Sequence, residues 1–131
     1  MALILTGMLI SALAALAYQF DLSESLGAHP WWSQQTLLIG VPLGLAAALI
    51  LRSVIPSRAI VWGAAIASLA AMIVAKYGRT QFAASYAEDV LAGRLWYFGW
   101  IAVPAALALL LSLLTHHLLG TYIFKSRHTD R

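Results

Sequence analysis

The stretch LWYFGWIAVPAALALLLSLLTHHLLGTYIF, residues Leu95 to Phe124, runs for thirty positions without an Asp, Glu, Lys or Arg. A helix needs only about 20 apolar residues to cross the hydrocarbon core of a bilayer. Reading outward from it, Ala2 to Phe20, Ser33 to Leu51 and Ala59 to Ala75 are likewise uncharged. Each run is about as long as such a helix requires, so all four are read as membrane-spanning helices. The expected fold is all-α, an integral membrane four-helix bundle. It forms a single transmembrane domain over residues 1–131, built as two helical hairpins with spans at about 2–20, 33–51, 59–76 and 95–120.

Composition supports lipid as the solvent. The chain is 62% hydrophobic and 10% charged, against roughly a quarter charged in soluble domains. It contains no Cys, which excludes disulfides, thiolate metal sites and thiol nucleophiles. The net charge of +3 comes from Lys and Arg scattered at the ends of the apolar runs. No basic cluster of the kind that grips nucleic acid is present, so nucleic acid is not an expected partner. The basic residues read instead as topology signals. Arg52, Arg58, Lys125, Arg127 and Arg131 fall on one side, and Lys76, Arg79 and Arg94 on the other. That bias places both termini in the cytoplasm of a multi-pass protein of the inner (plasma) membrane. Ala15-Leu16-Ala17 has the small-x-small form of a signal cleavage site, but no Lys or Arg precedes the apolar run. The segment is therefore read as a retained first span.

The connections expected on the outer side carry their own pattern, short amphipathic interfacial segments at about 22–32 and 80–93. The first ends in Pro30-Trp31-Trp32, and tryptophan favours the headgroup level. In the second, Phe82, Tyr86 and Val90 recur at helical spacing, which predicts a surface helix with Glu88 and Asp89 turned away from the apolar stripe. Trp96 and Trp100 follow at the membrane re-entry. Trp31, Trp32, Glu88, Asp89, Trp96 and Trp100 are the candidate docking residues for a partner. The basic tail, 125–131, reads as an anchor to anionic lipid.

Small residues at four-residue spacing predict where helices touch, because close van der Waals contact drives helix association in lipid. Gly7 and Ser11 mark the first span, Gly40 and Gly44 the second, and Gly63, Ala67 and Ala71 (continuing to Ala75) the third. Pro42 and Pro104 lie inside the second and fourth spans. Gln19-Phe20 and Val41-Pro42 recur 62 residues later as Gln81-Phe82 and Val103-Pro104, a faint internal repeat.

Apart from Lys76 at the very end of the third, the spans hold no Asp, Glu, Lys or Arg, and intramembrane ionisable groups are where pumps and carriers keep their chemistry. Small multidrug exporters, for comparison, carry an acidic residue in the first span. The chain has no HExxH, no GxSxG and no phosphate-cradling glycine loop. His116 is the candidate cofactor residue, with His117 beside it. Adjacent helical residues point about 100° apart, and no other span supplies a facing histidine. No cofactor is therefore predicted, and a haem or quinone would have to be shared with a partner. No metal site is expected. His29, near Asp21 and Glu24, forms a possible outer-face acid–base cluster. The layout resembles that of small accessory subunits of larger membrane assemblies, although no motif ties it to one family. The expected role is a non-catalytic accessory or structural subunit of a respiratory, photosynthetic or transport complex, with the bilayer and other membrane subunits as partners. A small oligomeric transporter or channel, and an anchor contributing to a haem or quinone site, are the alternatives.

Overall fold

A computed structural model describes residues 2–55 and 57–129, apart from the side chains of Ser57 and 123–129. Five helices follow in order: α1 (Ala2–Gln19), α2 (Leu22–Ser25), α3 (Ser33–Leu51), α4 (Ser57–Ala84) and α5 (Val90–Thr129). All but α2 are long and apolar enough to cross a membrane. No strand occurs among the described residues. The protein is an all-α four-helix bundle. Its chain passes up, down, up and down, so α2 and the α4–α5 turn lie at one end. We call this the aromatic end, and the opposite one, holding Arg52 and Arg58, the basic end.

α5 is the hub. It packs along α4 on one side and α3 on the other, while α1 rests more lightly on α3 and α5. The reason lies in side-chain size. The buried stripe of α3 is Ser33, Thr36, Gly40, Gly44 and Ala48, three or four residues apart and all small. A Cβ placed on Gly40 would lie 2.6 Å from the Ile101 carbonyl oxygen and from the Pro104 ring, and one on Gly44 would overlap the Ala105 carbonyl. Backbone therefore meets backbone at this crossing. Pro104 is buried there, its ring seated in the space Gly40 leaves, and α5 stays continuous through it. Pro42 faces outward.

The α4–α5 contact corrects the expected stripe. α4 buries Ile60, Ala64, Ser68, Ala71, Ala75 and Gly78. Ala71 is on this face, but Gly63 and Ala67 point away from it and are exposed. The buried spacing mixes steps of three and four, which follows the 3.6-residue turn, whereas a strict step of four drifts off the face. The closest approach is higher, where a Cβ on Gly78 would come 2.5 Å from the Trp96 nitrogen and one on Gly99 2.9 Å from the Ala75 Cα. On α1, Gly7 is half-buried with nothing within 4 Å of its Cβ direction, and Ser11 is exposed. Only Thr6 and Ile10 of α1 are buried.

Buried hydroxyls are satisfied locally. Thr6, Ser68 and Ser112 each donate to the carbonyl four residues earlier, at 2.6–2.8 Å, and Thr36 donates to the Ser33 carbonyl at 2.6 Å. Among the described residues no buried side-chain N or O lacks a partner. This is how polar side chains are tolerated in lipid.

The segment 80–93 is not a separate surface helix. α4 runs on to Ala84, and its 28 residues span about 42 Å at 1.5 Å each, beyond the ~30 Å hydrocarbon core. Tyr86 and Ala87 then adopt left-handed backbone, φ 54° and 68°, which ends the helix. Phe82 is half-buried, while Tyr86 is 93% exposed and Val90 is exposed, so the expected stripe does not form. At the other terminus α5 continues through Lys125 to Thr129 instead of giving way to a separate tail, and Asp130 and Arg131 lie outside the described residues.

Candidate functional site

Two clusters of polar and aromatic groups stand at the ends of the bundle. At the aromatic end the loop 26–32 folds over the projecting tops of α4 and α5. Gly27 makes this turn with φ 119°, and its missing side chain admits the Arg79 guanidinium, 2.8 Å from where a Cβ would sit. The Trp96 indole N–H donates to the Gly27 carbonyl at 3.0 Å. Ala28 joins Ala71, Ala75, Trp100 and Val103 in a buried cluster, with Trp32 and Trp96 packed against it.

His29 sits inside this aromatic group. Its ring lies 5.6 Å from Trp31, 5.9 Å from Trp32 and 5.5 Å from Trp96. Trp32 meets Trp96 and Tyr97 edge-to-face at 5.3 and 5.2 Å. Such edge contacts follow the ring quadrupoles. The His29 Nδ1 accepts the Trp31 backbone N–H at 3.2 Å, so that nitrogen is unprotonated and the ring proton belongs on Nε2. Asp21 is engaged elsewhere, accepting from Gln34 Nε2 at 3.1 Å. The histidine is thus held by aromatic rings and backbone.

The candidate docking residues divide. Trp31 is 88% exposed, Glu88 is exposed, and Trp32 is half-buried. Trp100 is only 7% exposed and belongs to the core, and Trp96 is tied down by Gly27. Asp89 caps α5. Its Oδ1 accepts the Ala92 N–H at 2.9 Å, and its own N–H donates to Ser85 Oγ at 2.9 Å. That is the geometry of a helix N-cap, and Asp-x-x just before an apolar helix is its sequence signature.

A second, smaller cavity of about 340 Å³ opens beside this loop, between Leu26, Met72 and Trp100, with Lys76 and Arg79 at its edge.

At the basic end α1, α3 and α5 line a larger cavity of about 490 Å³. α3 supplies Leu45 and Leu49, α5 supplies Leu113, and α1 supplies Leu3 and Gly7. Arg52, His116 and His117 also line it. The two histidines, adjacent in sequence, flank one space because the cavity is wide enough to be bordered by both directions. His116 stands out in the sequence, but its meeting with Arg52 does not, since that pairing is a product of how α3 and α5 cross.

Among the described residues no group of three or more His, Asp or Glu side chains is placed to hold a metal ion. Fold and sites together define a small multi-pass membrane protein with four spanning helices. Comparison with protein-family models, curated proteins and solved structures finds no match.

Proposed function

We propose that this protein is a non-catalytic accessory subunit of a larger membrane complex, respiratory, photosynthetic or transport-related. On this reading it lies in the inner (plasma) membrane with both termini cytoplasmic. The observation that carries the reading is the outward face of α4. Gly63, Ala67 and Ala70 are exposed there, between the bulky Trp62, Ile66, Leu69 and Ile73. Nothing lies within 4 Å of the Gly63 Cβ direction. α4 packs substantially against α5 alone, so this face has no partner helix among the described residues. A notch of small residues is the shape that lets another helix approach closely in lipid. Bulky neighbours on both sides would supply its ridges.

Extraction in mild detergent followed by native mass analysis tests this. The wild-type chain is expected in a stoichiometric assembly with a different membrane protein. Gly63→Leu fills the notch without touching α5 and should release a folded monomer. A wild-type monomer, a pure homo-oligomer, or an assembly indifferent to Gly63→Leu would refute the proposal.

A further inference from the structure

We propose that the cavity at the basic end binds one phospholipid with an anionic phosphate headgroup. The phosphate sits at Arg52, His116 and His117, and the first part of an acyl chain runs between α1, α3 and α5. The inference is independent of the subunit role.

The polarity of the cavity runs one way along the helices. Leu45, Leu49 and Arg52 share one face of α3. At 1.5 Å per residue, Leu45 lies about 10 Å deeper than Arg52. On α5, Leu113 lies deeper than His116 and His117 in the same sense. Two hydroxyls also line the depth, Thr6 and Ser112, but each donates its proton to its own helix. The depth therefore asks for no polar ligand, and the free donors are gathered at the mouth. A guanidinium offers five N–H donors in a planar fork that matches phosphate. Basic pockets between membrane helices at the headgroup level hold anionic lipid in this way.

Size and position favour a lipid over a free phosphate. A volume of about 490 Å³ is that of roughly sixteen waters at ~30 Å³ each, far more than a phosphate fills. Apart from Thr6 and Ser112, the remainder is lined by Leu3, Leu45, Leu49, Leu113, Gly7 and Ala48. The space exists because α1 packs lightly and presents Gly7, which leaves open room where a side chain would be. The second cavity has cations too, but it is smaller and its Arg79 is already laid over Gly27.

The test uses the full chain in nanodiscs of equal phosphatidylglycerol and phosphatidylcholine, released and weighed by native mass spectrometry. Wild type should retain one phosphatidylglycerol, favoured about tenfold over phosphatidylcholine, because the choline cation of the latter already offsets its phosphate and is repelled by Arg52. Arg52→Gln should abolish that preference and Arg52→Lys should restore part of it. His116→Gln with His117→Gln should lower it severalfold. Gly7→Leu, which fills the cavity, should lose both lipids while circular dichroism stays helical. Should Gly7→Leu fail to fold, the Arg52 pair still decides. Equal retention of the two lipids by wild type, or an unchanged preference in Arg52→Gln, overturns the proposal. Displacement of the lipid by millimolar glycerol phosphate also overturns it, because it would mark a site for a soluble phosphate. Loss of the protein partner with lipid retention intact would count against the subunit reading alone.

Discussion

Adding one methyl group at Gly44 should weaken the fold, while the same methyl at Gly63 should strengthen it. Both glycines are helical, and each Gly→Ala change gains about 0.5–1 kcal/mol of helix propensity. Only their surroundings differ. At Gly44 the new Cβ overlaps the Ala105 carbonyl oxygen and lies 2.8 Å from the Ala108 Cβ, where ordinary contact is 3.4–4 Å. The obstacle is backbone, which cannot rotate away, so α3 must retreat from α5. A radial gap of about 0.5–1 Å forfeits a quarter to a half of each dispersion contact, and overpacking of this kind costs about 1–3 kcal/mol. Gly44→Ala is therefore expected to lose up to about 2 kcal/mol net of propensity. At Gly63 nothing lies within 4 Å, so the propensity gain of about 0.5–1 kcal/mol is uncompensated. Reversible unfolding in mixed micelles, followed by tryptophan fluorescence and far-ultraviolet circular dichroism, measures both. Gly40→Ala should behave like Gly44→Ala, because its Cβ would sit 2.6 Å from Pro104 and from the Ile101 carbonyl. A Gly44→Ala protein at least as stable as Gly63→Ala would show that α3 and α5 do not meet at backbone distance, and the packing account would fail.

Further outcomes follow at the aromatic end. Ala87 has φ 68°, a conformation costing an L side chain about 1–2 kcal/mol, so Ala87→Gly should raise the unfolding midpoint by a corresponding amount. A drop in stability would mean that the left-handed turn is misplaced. Trp96→Phe keeps the ring packing but removes the bond to the Gly27 carbonyl. It should cost about 1 kcal/mol and speed amide exchange selectively in residues 22–32; unchanged protection there would argue that the loop is held by packing alone.

What the sequence disclosed and what it withheld follow one physical line. The four spans were legible because lipid demands unbroken apolar length, a property of each segment by itself. The Gly40–Gly44 contact was legible for the same reason, since a small stripe can be read along one helix. The lower half of the expected α4 stripe, Gly63 and Ala67, lies one residue off the buried face, which carries Ala64 and Ser68. Alanine is so frequent between Ala59 and Ala75 that several registers look equally smooth, and only the partner helix selects Ile60, Ala64, Ser68 and Ala71. The cap role of Asp89 is hidden because Phe82, Tyr86 and Val90 happen to stand at helical spacing across the break between two helices. α4 runs past Lys76 and Arg79 to Ala84, and Asp89 caps the next helix. The Arg52–His116–His117 mouth was out of reach, because residues 64 positions apart come together only through the crossing of α3 and α5.

Stability and binding are coupled in this molecule through α1. The α3–α5 and α4–α5 seams use glycine and alanine to bring backbones together, which makes those three helices a tight row. α1 has the same kind of small residue at Gly7 but sets it against open space. A glycine facing a void contributes neither contact nor propensity, so α1 gives up stability at that point. The same omission leaves the cavity beneath Arg52, His116 and His117 unfilled. A ligand entering there would supply the missing contacts and bind only the folded arrangement, and so stabilise it by mass action. Phosphatidylglycerol should therefore raise the unfolding midpoint of wild type and leave Arg52→Gln nearly unmoved, which ties the looseness of one helix to the chemistry at its end.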